Sequence, residues 1–162
     1  VVDAAAFVVY ANTSIQVNPT PSFVSFVAVP ATIDLGESVK LFANATGGTA
    51  PLTYSYSTLP SGCTSSNAAS ITCTPTTIGI ATVGVNATDA YGWHASSSLS
   101  FTVNSDPTIL SFAMAPTSID LGQTVSIWFN TTGGTGHLGL SYAGVPAGCN
   151  FGVAATGTCT PT

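Results

Sequence analysis

The residues with the most definite chemistry in this chain are four cysteines, Cys63, Cys73, Cys149 and Cys159, which fall into two pairs with the same ten-residue spacing. Thiolates can bind a metal, act as nucleophiles or oxidise to disulfides. No C-x-x-C and no nearby histidine accompanies either pair, so nothing supports a zinc site. Four cysteines still admit three disulfide connectivities. The second group with definite chemistry is a set of four N-x-S/T sequons, at Asn12, Asn44, Asn86 and Asn130. Serine and threonine are abundant enough to make some sequons by chance, yet N-linked glycans at these positions would also explain a difficulty raised by the composition. Only 4% of residues are charged, against about 25% in a typical soluble domain, and surfaces normally rely on charge for solubility.

An internal repeat selects among these possibilities. Residues 21–76 align without a gap on residues 107–162, at an offset of 86, and about half the aligned positions are identical. Ile33-Asp34-Leu35-Gly36 becomes Ile119-Asp120-Leu121-Gly122, and Asn44-Ala45-Thr46-Gly47-Gly48-Thr49 becomes Asn130-Thr131-Thr132-Gly133-Gly134-Thr135. Each repeat holds one cysteine pair, so symmetry favours Cys63–Cys73 and Cys149–Cys159 over crossed pairings. Each loop of about ten residues would then add about 2–3 kcal/mol through the unfolded state. Disulfides imply an oxidising, extracellular setting.

The elements that must position these residues are strands. Alternation and turn residues place strands near 22–29, 38–45, 52–58, 69–74, 78–88 and 95–104, separated by Gly, Pro and Asn clusters, and no segment holds a helical apolar period. In the second strand Val39, Leu41 and Ala43 face the core while Lys40, Phe42 and Asn44 face water. Val125, Ile127 and Phe129 repeat that inward set. Ala81, Val83 and Val85, and then Leu99, Phe101 and Val103, supply the opposite side. Short strands in this rhythm predict an all-β fold of tandem immunoglobulin-like sandwiches.

The Gly47-Gly48-Thr49-Ala50-Pro51-Leu52-Thr53-Tyr54-Ser55-Tyr56 stretch, preceded by Ile33-Asp34-Leu35-Gly36, resembles the PKD-type immunoglobulin-like repeats of microbial surface proteins. The Pro-Ser-Gly-Cys to Thr-Cys-Thr-Pro segment is similar to repeats in secreted proteins of thermoacidophilic archaea. The resemblance covers nearly the whole chain and implies a PKD-like β-sandwich fold and a cell-surface location. It says little of function.

The same offset extends backward, with Asp3-Ala4, Ser14, Val17 and Asn18 standing where Asp89-Ala90, Ser100, Val103 and Asn104 stand in the first repeat. The chain therefore divides into an N-terminal arm (1–19), a complete first repeat (20–106) and a second repeat (107–162) that lacks counterparts of the last two strands. In the arm, Phe7, Val9, Ala11, Thr13, Ile15 and Val17 share one face. The glycine of the Tyr91-Gly92-Trp93 turn is replaced by Ala6, so the arm is expected to run as one long strand without a hairpin. The economical reading is donor-strand complementation, in which the arm of one copy fills the vacancy in the second repeat of another. Head-to-tail contacts of this kind propagate as a homopolymer, resembling in plan the thread-like filaments of thermoacidophilic archaea. The alternative is a stretch of a larger adhesin, surface-layer protein or accessory region of a secreted hydrolase.

Other classes are disfavoured by the residues. One basic residue, Lys40, stands against Asp3, Asp34, Glu37, Asp89, Asp106 and Asp120, too few cations to neutralise a nucleic-acid backbone. No apolar run reaches the length of a membrane span. No nucleophile elbow, H-E-x-x-H, EF-hand loop or P-loop occurs, so no catalytic residue, metal or cofactor is expected beyond the glycans. His94 and His137 read as loop histidines. Phe42 and Trp128, at one repeat position on the outward face, read as scattered exposed aromatics, as a contact with a neighbouring domain or subunit, or as a platform for stacking a carbohydrate.

Overall fold

The computed structural model describes residues 1–151 and 155–162. Ten strands and no helix occur among them. The first repeat holds β1 (Ser22–Val29), β2 (Thr32–Asp34), β3 (Val39–Thr46), β4 (Thr53–Ser57), β5 (Ser70–Cys73), β6 (Gly79–Thr88) and β7 (His94–Asn104). The second holds β8 (Thr108–Ala115), β9 (Val125–Thr132) and β10 (Thr156–Cys159). One sheet of the first repeat runs β1-β3-β5, and the other runs β2-β7-β6-β4. All pairings are antiparallel except β2 with β7, which is parallel.

The inward face of each strand follows the alternation of its residues. Along β3, Val39, Leu41 and Ala43 are buried while Lys40, Phe42 and Asn44 are exposed. From the facing sheet come Val83, Val85, Phe101 and Val103, and the two sheets close over one core that also holds Ile33, Tyr56 and Ile71. The period of two puts every second side chain on that face. β2 was not anticipated. It is three residues long and exists through its parallel register with β7, Thr32 opposite Thr102 and Asp34 opposite Asn104, a pairing that local pattern cannot reveal.

Among its described residues the second repeat forms the sheet β10-β9-β8. These strands reproduce β5, β3 and β1 residue for residue. Phe112 opposes Phe129 as Phe26 opposes Ala43, and a register shift between Ile109 and Ser111 matches one between Phe23 and Ser25. The counterparts of β2 (118–120) and β4 (139–143) hold no strand. The reason is hydrogen bonding. In the first repeat β2 pairs with β7 and β4 pairs with β6, and the sequence to residue 162 carries no counterparts of β6 and β7. Without a partner a short extended segment has no ladder to join.

The arm corrects the expectation of a single long strand. Residues 1–9 form a closed turn. Val2 bridges Val8, the Asp3 amide donates to the Phe7 carbonyl at 3.0 Å, and the Val9 amide donates to the Val1 carbonyl at 2.9 Å. Asp3 Oδ1 accepts the Ala5 and Phe7 amides, each at 2.9 Å. This is the β6–β7 turn over again, where Asp89 Oδ1 accepts the Tyr91 and Trp93 amides at 2.9 Å and Thr88 opposes His94. Ala6 takes the positive φ of 66° where Gly92 has 87°. The aspartate, which takes two amides of the loop, makes the turn. After Val9 the arm runs to Thr20 with no strand pairing and exposed throughout.

Candidate docking site: an open groove and an exposed arm

Among the described residues of the second repeat, the sheet face that corresponds to the core side of the first repeat is open. A groove of about 360 Å³ is lined by Phe112, Met114, Ile119, Val125, Ile127 and Tyr142 among others. Their first-repeat counterparts, Phe26, Ala28, Ile33, Val39, Leu41 and Tyr56, belong to or pack against the closed core. The difference shows in exposure. Phe112 is 57% and Met114 48% exposed, although each has a core-packed counterpart. The Tyr142 ring lies tilted against Phe151, with centroids 5.1 Å apart, and edge-on to Phe129 at 6.1 Å, which narrows the groove without closing it. The groove is therefore apolar and open to solvent along the face that the first repeat buries.

The N-terminal arm repeats the positions of β7. Through the 86-residue offset, Phe7, Val9, Ala11, Thr13, Ile15 and Val17 occupy the positions of Trp93, Ala95, Ser97, Leu99, Phe101 and Val103. Phe101 and Val103 are 2% exposed, whereas Ile15 and Val17 are 89% and 84% exposed. The arm thus carries at Ile15 and Val17 the positions that β7 buries, and both stay exposed among the described residues.

The joints between units are also copies of one another. Asn18 Nδ2 donates to Thr49 Oγ1 at 3.1 Å, and Asn104 Nδ2 donates to Thr135 Oγ1 at 3.0 Å. The Gly48 amide donates to the Pro19 carbonyl and the Gly134 amide to the Ser105 carbonyl, each at 2.7 Å. The arm therefore enters the first repeat as β7 enters the second. Across the second joint Asp34 adds two bonds, accepting the Thr135 amide at 3.2 Å and the Thr135 hydroxyl at 2.5 Å.

Asp89, which the sequence did not single out, is the polar residue that closes the first repeat. It is buried, and its Oδ2 accepts the Thr49 amide at 3.0 Å. Gly48, at φ +72°, is needed here, since a Cβ on it would lie 2.9 Å from the Asp89 Cβ. The Thr49 amide, against the opposing effect of burial, and then the Tyr91, Trp93 and Gly92 amides hold the carboxyl below the usual carboxylate range. A lowered folded pKa means that this stabilisation is complete at neutral pH and is withdrawn as pH falls below about 4, through the folded value. Asp89→Asn is expected to lower the melting temperature at pH 7 and to flatten its decline on acidification, which a thermal melt series from pH 2 to 7 will read.

The disulfides are Cys63–Cys73 and Cys149–Cys159, with Cα atoms 4.8 and 4.9 Å apart. Cys73 lies in the first core and Cys159 at the floor of the groove. Replacing Cys63 and Cys73 by alanine is expected to destabilise the first repeat by about 2–3 kcal/mol, measurable as a shift in denaturant midpoint. Two disulfides point to an oxidising, extracellular or secreted environment. Asn12, Asn44, Asn86 and Asn130 are all exposed. Phe42 and Trp128 are exposed on one outward face, with Lys40 Nζ 4.8 Å from the Phe42 ring centroid. His94 opens β7 instead of lying in a loop. Among the described residues no group of three or more His, Cys, Asp or Glu is placed to hold a metal, and no helix is long and apolar enough to cross a membrane.

No family model matches this chain, and no curated protein matches it either.

Proposed function

We propose that the chain is a structural subunit of an extracellular, cell-surface filament, assembled when the arm of one copy enters the second-repeat groove of the next. The observation that carries this reading is the match between an uncovered half-core and an exposed strand that bears the residues used to cover its counterpart. In the first repeat β7 pairs with β2 in parallel register, Ile33 opposite Val103. The same register sets Val17 of the arm opposite Ile119 of the neighbour. Residues 1–17 correspond to positions 87–103, so they supply the final strand, the turn before it and the last two positions of the preceding strand. Each subunit then continues the repeat array of the one before. The resemblance to PKD-type immunoglobulin-like surface repeats accords with this role. Sedimentation and imaging of the purified chain test the reading. Fibres that grow with concentration support it, and a monomer at all concentrations counts against it.

The equality of the two joints favours a second reading, in which the chain is a stretch of a longer repeat protein whose own strands close the second repeat. The two readings part on whether this chain alone polymerises.

The sequons belong to the same proposal. Asn44 and Asn130 hold equivalent positions on β3 and β9, on the face turned away from the groove and core, so a glycan there leaves the docking face open. Material from the native host is expected to exceed the 16.2 kDa of the polypeptide by the mass of at least two glycans. An intact mass equal to the bare chain would refute that.

A further inference from the structure

We infer that docking is completed by a polar latch that fixes its register: Asp3 of the arm-bearing copy accepts the Thr135 amide of the groove-bearing copy, and Asp120 of the groove-bearing copy accepts the Thr49 hydroxyl of the arm-bearing one. The inference rests on the donor-strand reading and adds to it a specific pair of contacts. Its template is the first repeat. There the turn aspartate, Asp89, uses Oδ1 for its own turn and Oδ2 for the Thr49 amide, while the Ala90 amide donates to the Thr49 carbonyl at 3.0 Å. Asp3 is the same residue one repeat earlier, and its Oδ1 is already committed to the same turn. Its Oδ2 has no hydrogen-bond partner among the described residues, so the turn is formed and the latch oxygen is spare.

The receiving loop is equally prepared. Gly133, Gly134 and Thr135 repeat Gly47, Gly48 and Thr49, and Gly134 keeps the positive φ, at 77°. The nearest neighbours of a Cβ on Gly134 would be Leu138 and Pro107, the counterparts of the Leu52 and Pro21 that lie beside Gly48, with the aspartate that Gly48 also meets missing from that set. In this chain the Thr135 amide rests on Asp34 Oδ2 at 3.2 Å, and the Thr135 hydroxyl on Asp34 Oδ1. When Asp3 arrives, the amide passes to it and Asp34 keeps the hydroxyl. The same logic gives the second contact. Thr49 already spends its amide on Asp89 and accepts from Asn18 on its hydroxyl oxygen, which leaves the hydroxyl proton to be donated. Asp120, the counterpart of Asp34, has a carboxylate with no partner among the described residues. In the array it falls beside Thr49 of the next copy. With both contacts made, every Gly-Gly-Thr loop in the fibre has the same set of bonds. A strand slipped by two residues would keep its apolar face inward but would lose both, so the latch selects one register.

The test uses the full-length Ile15→Asp/Val17→Asp chain as an acceptor, since its groove is intact and its own arm is disabled. A fluorescent peptide of residues 1–17 is titrated against it and followed by anisotropy. The Asp3→Asn peptide keeps an Oδ1 for the turn but presents an N–H₂ to the Thr135 amide, so its affinity should fall by about tenfold, the scale of one hydrogen bond to a charged group. Asp120→Asn in the acceptor should leave peptide affinity unchanged, because the peptide lacks Thr49, yet Asp120→Asn in the otherwise natural chain should lower the dissociation temperature of fibres. Equal binding of the two peptides, or fibres indifferent to Asp120→Asn, would overturn the latch while leaving strand donation standing. No binding of the natural peptide would overturn both.

Discussion

Deleting residues 1–17 should abolish fibres and leave the first repeat folded. All seven of its strands lie between residues 22 and 104, and the joint residues Asn18 and Pro19, which bond to Thr49 and Gly48, survive the cut. What is lost is the exposed apolar face of Val9, Ile15 and Val17, each worth about 1.5–3 kcal/mol if fully buried, from which an ordering cost of about 1–2 kcal/mol per residue must be subtracted. Ile15→Asp tests the same face more finely. Its counterpart Phe101 lies at 2% exposure between two sheets, so a carboxylate in that place would be buried without a partner. Assembly should weaken by about a hundredfold or more, an energy of about 3 kcal/mol. Ser14→Asp, on the opposite face, should change it far less. Circular dichroism of each variant checks that the first repeat is intact, and sedimentation reads the assembly. A deletion variant that still polymerises would refute the role given to the arm.

The second large effect is expected in the first repeat itself. Phe101 is among the largest side chains that are fully buried, and it joins β7 to core residues of both sheets. Phe101→Ala should destabilise by about 3–5 kcal/mol, the sum of lost transfer energy and an unfilled cavity. That is a large part of the 5–15 kcal/mol that holds a typical domain. Ser100→Ala, one residue away on the outer face, loses only a hydroxyl contact with Thr82 at 2.9 Å and should stay within about 1 kcal/mol. Urea unfolding with an unchanged slope and a shifted midpoint will separate the two. If Phe101→Ala behaved like Ser100→Ala, the core would not depend on this strand position. Ile15 in the same position of the second repeat would then be dispensable too.

The parts of the fold that can be read from sequence are those with local causes. The alternation in Val39, Leu41 and Ala43 assigns a face because a strand turns every second side chain inward. The 86-residue offset shows which strands of the first repeat have counterparts within residues 107–162. β2 was invisible, because three residues make a strand only when β7 lies alongside. The arm departs from its local pattern at one point. Loss of the turn glycine suggested that the hairpin had gone, but Asp3 makes the turn by accepting two amides and Ala6 adopts the left-handed conformation. The repeat equivalence of Asp3-Ala4 and Asp89-Ala90 was the signal for that turn. The polar joints lay beyond reach, since Asp89 meets Thr49 across 40 residues and Asp34 meets Thr135 across 101, and nothing local marks either pair.

Images of the fibre at side-chain resolution test the central claim most directly. Strand donation predicts residues 7–17 of one copy lying in the second-repeat groove of its neighbour, parallel to residues 118–120, with Val17 opposite Ile119 and Ile15 pointing at the sheet of β8, β9 and β10. A fibre in which the arm lies on its own first repeat, or in which the groove stays empty, would contradict it.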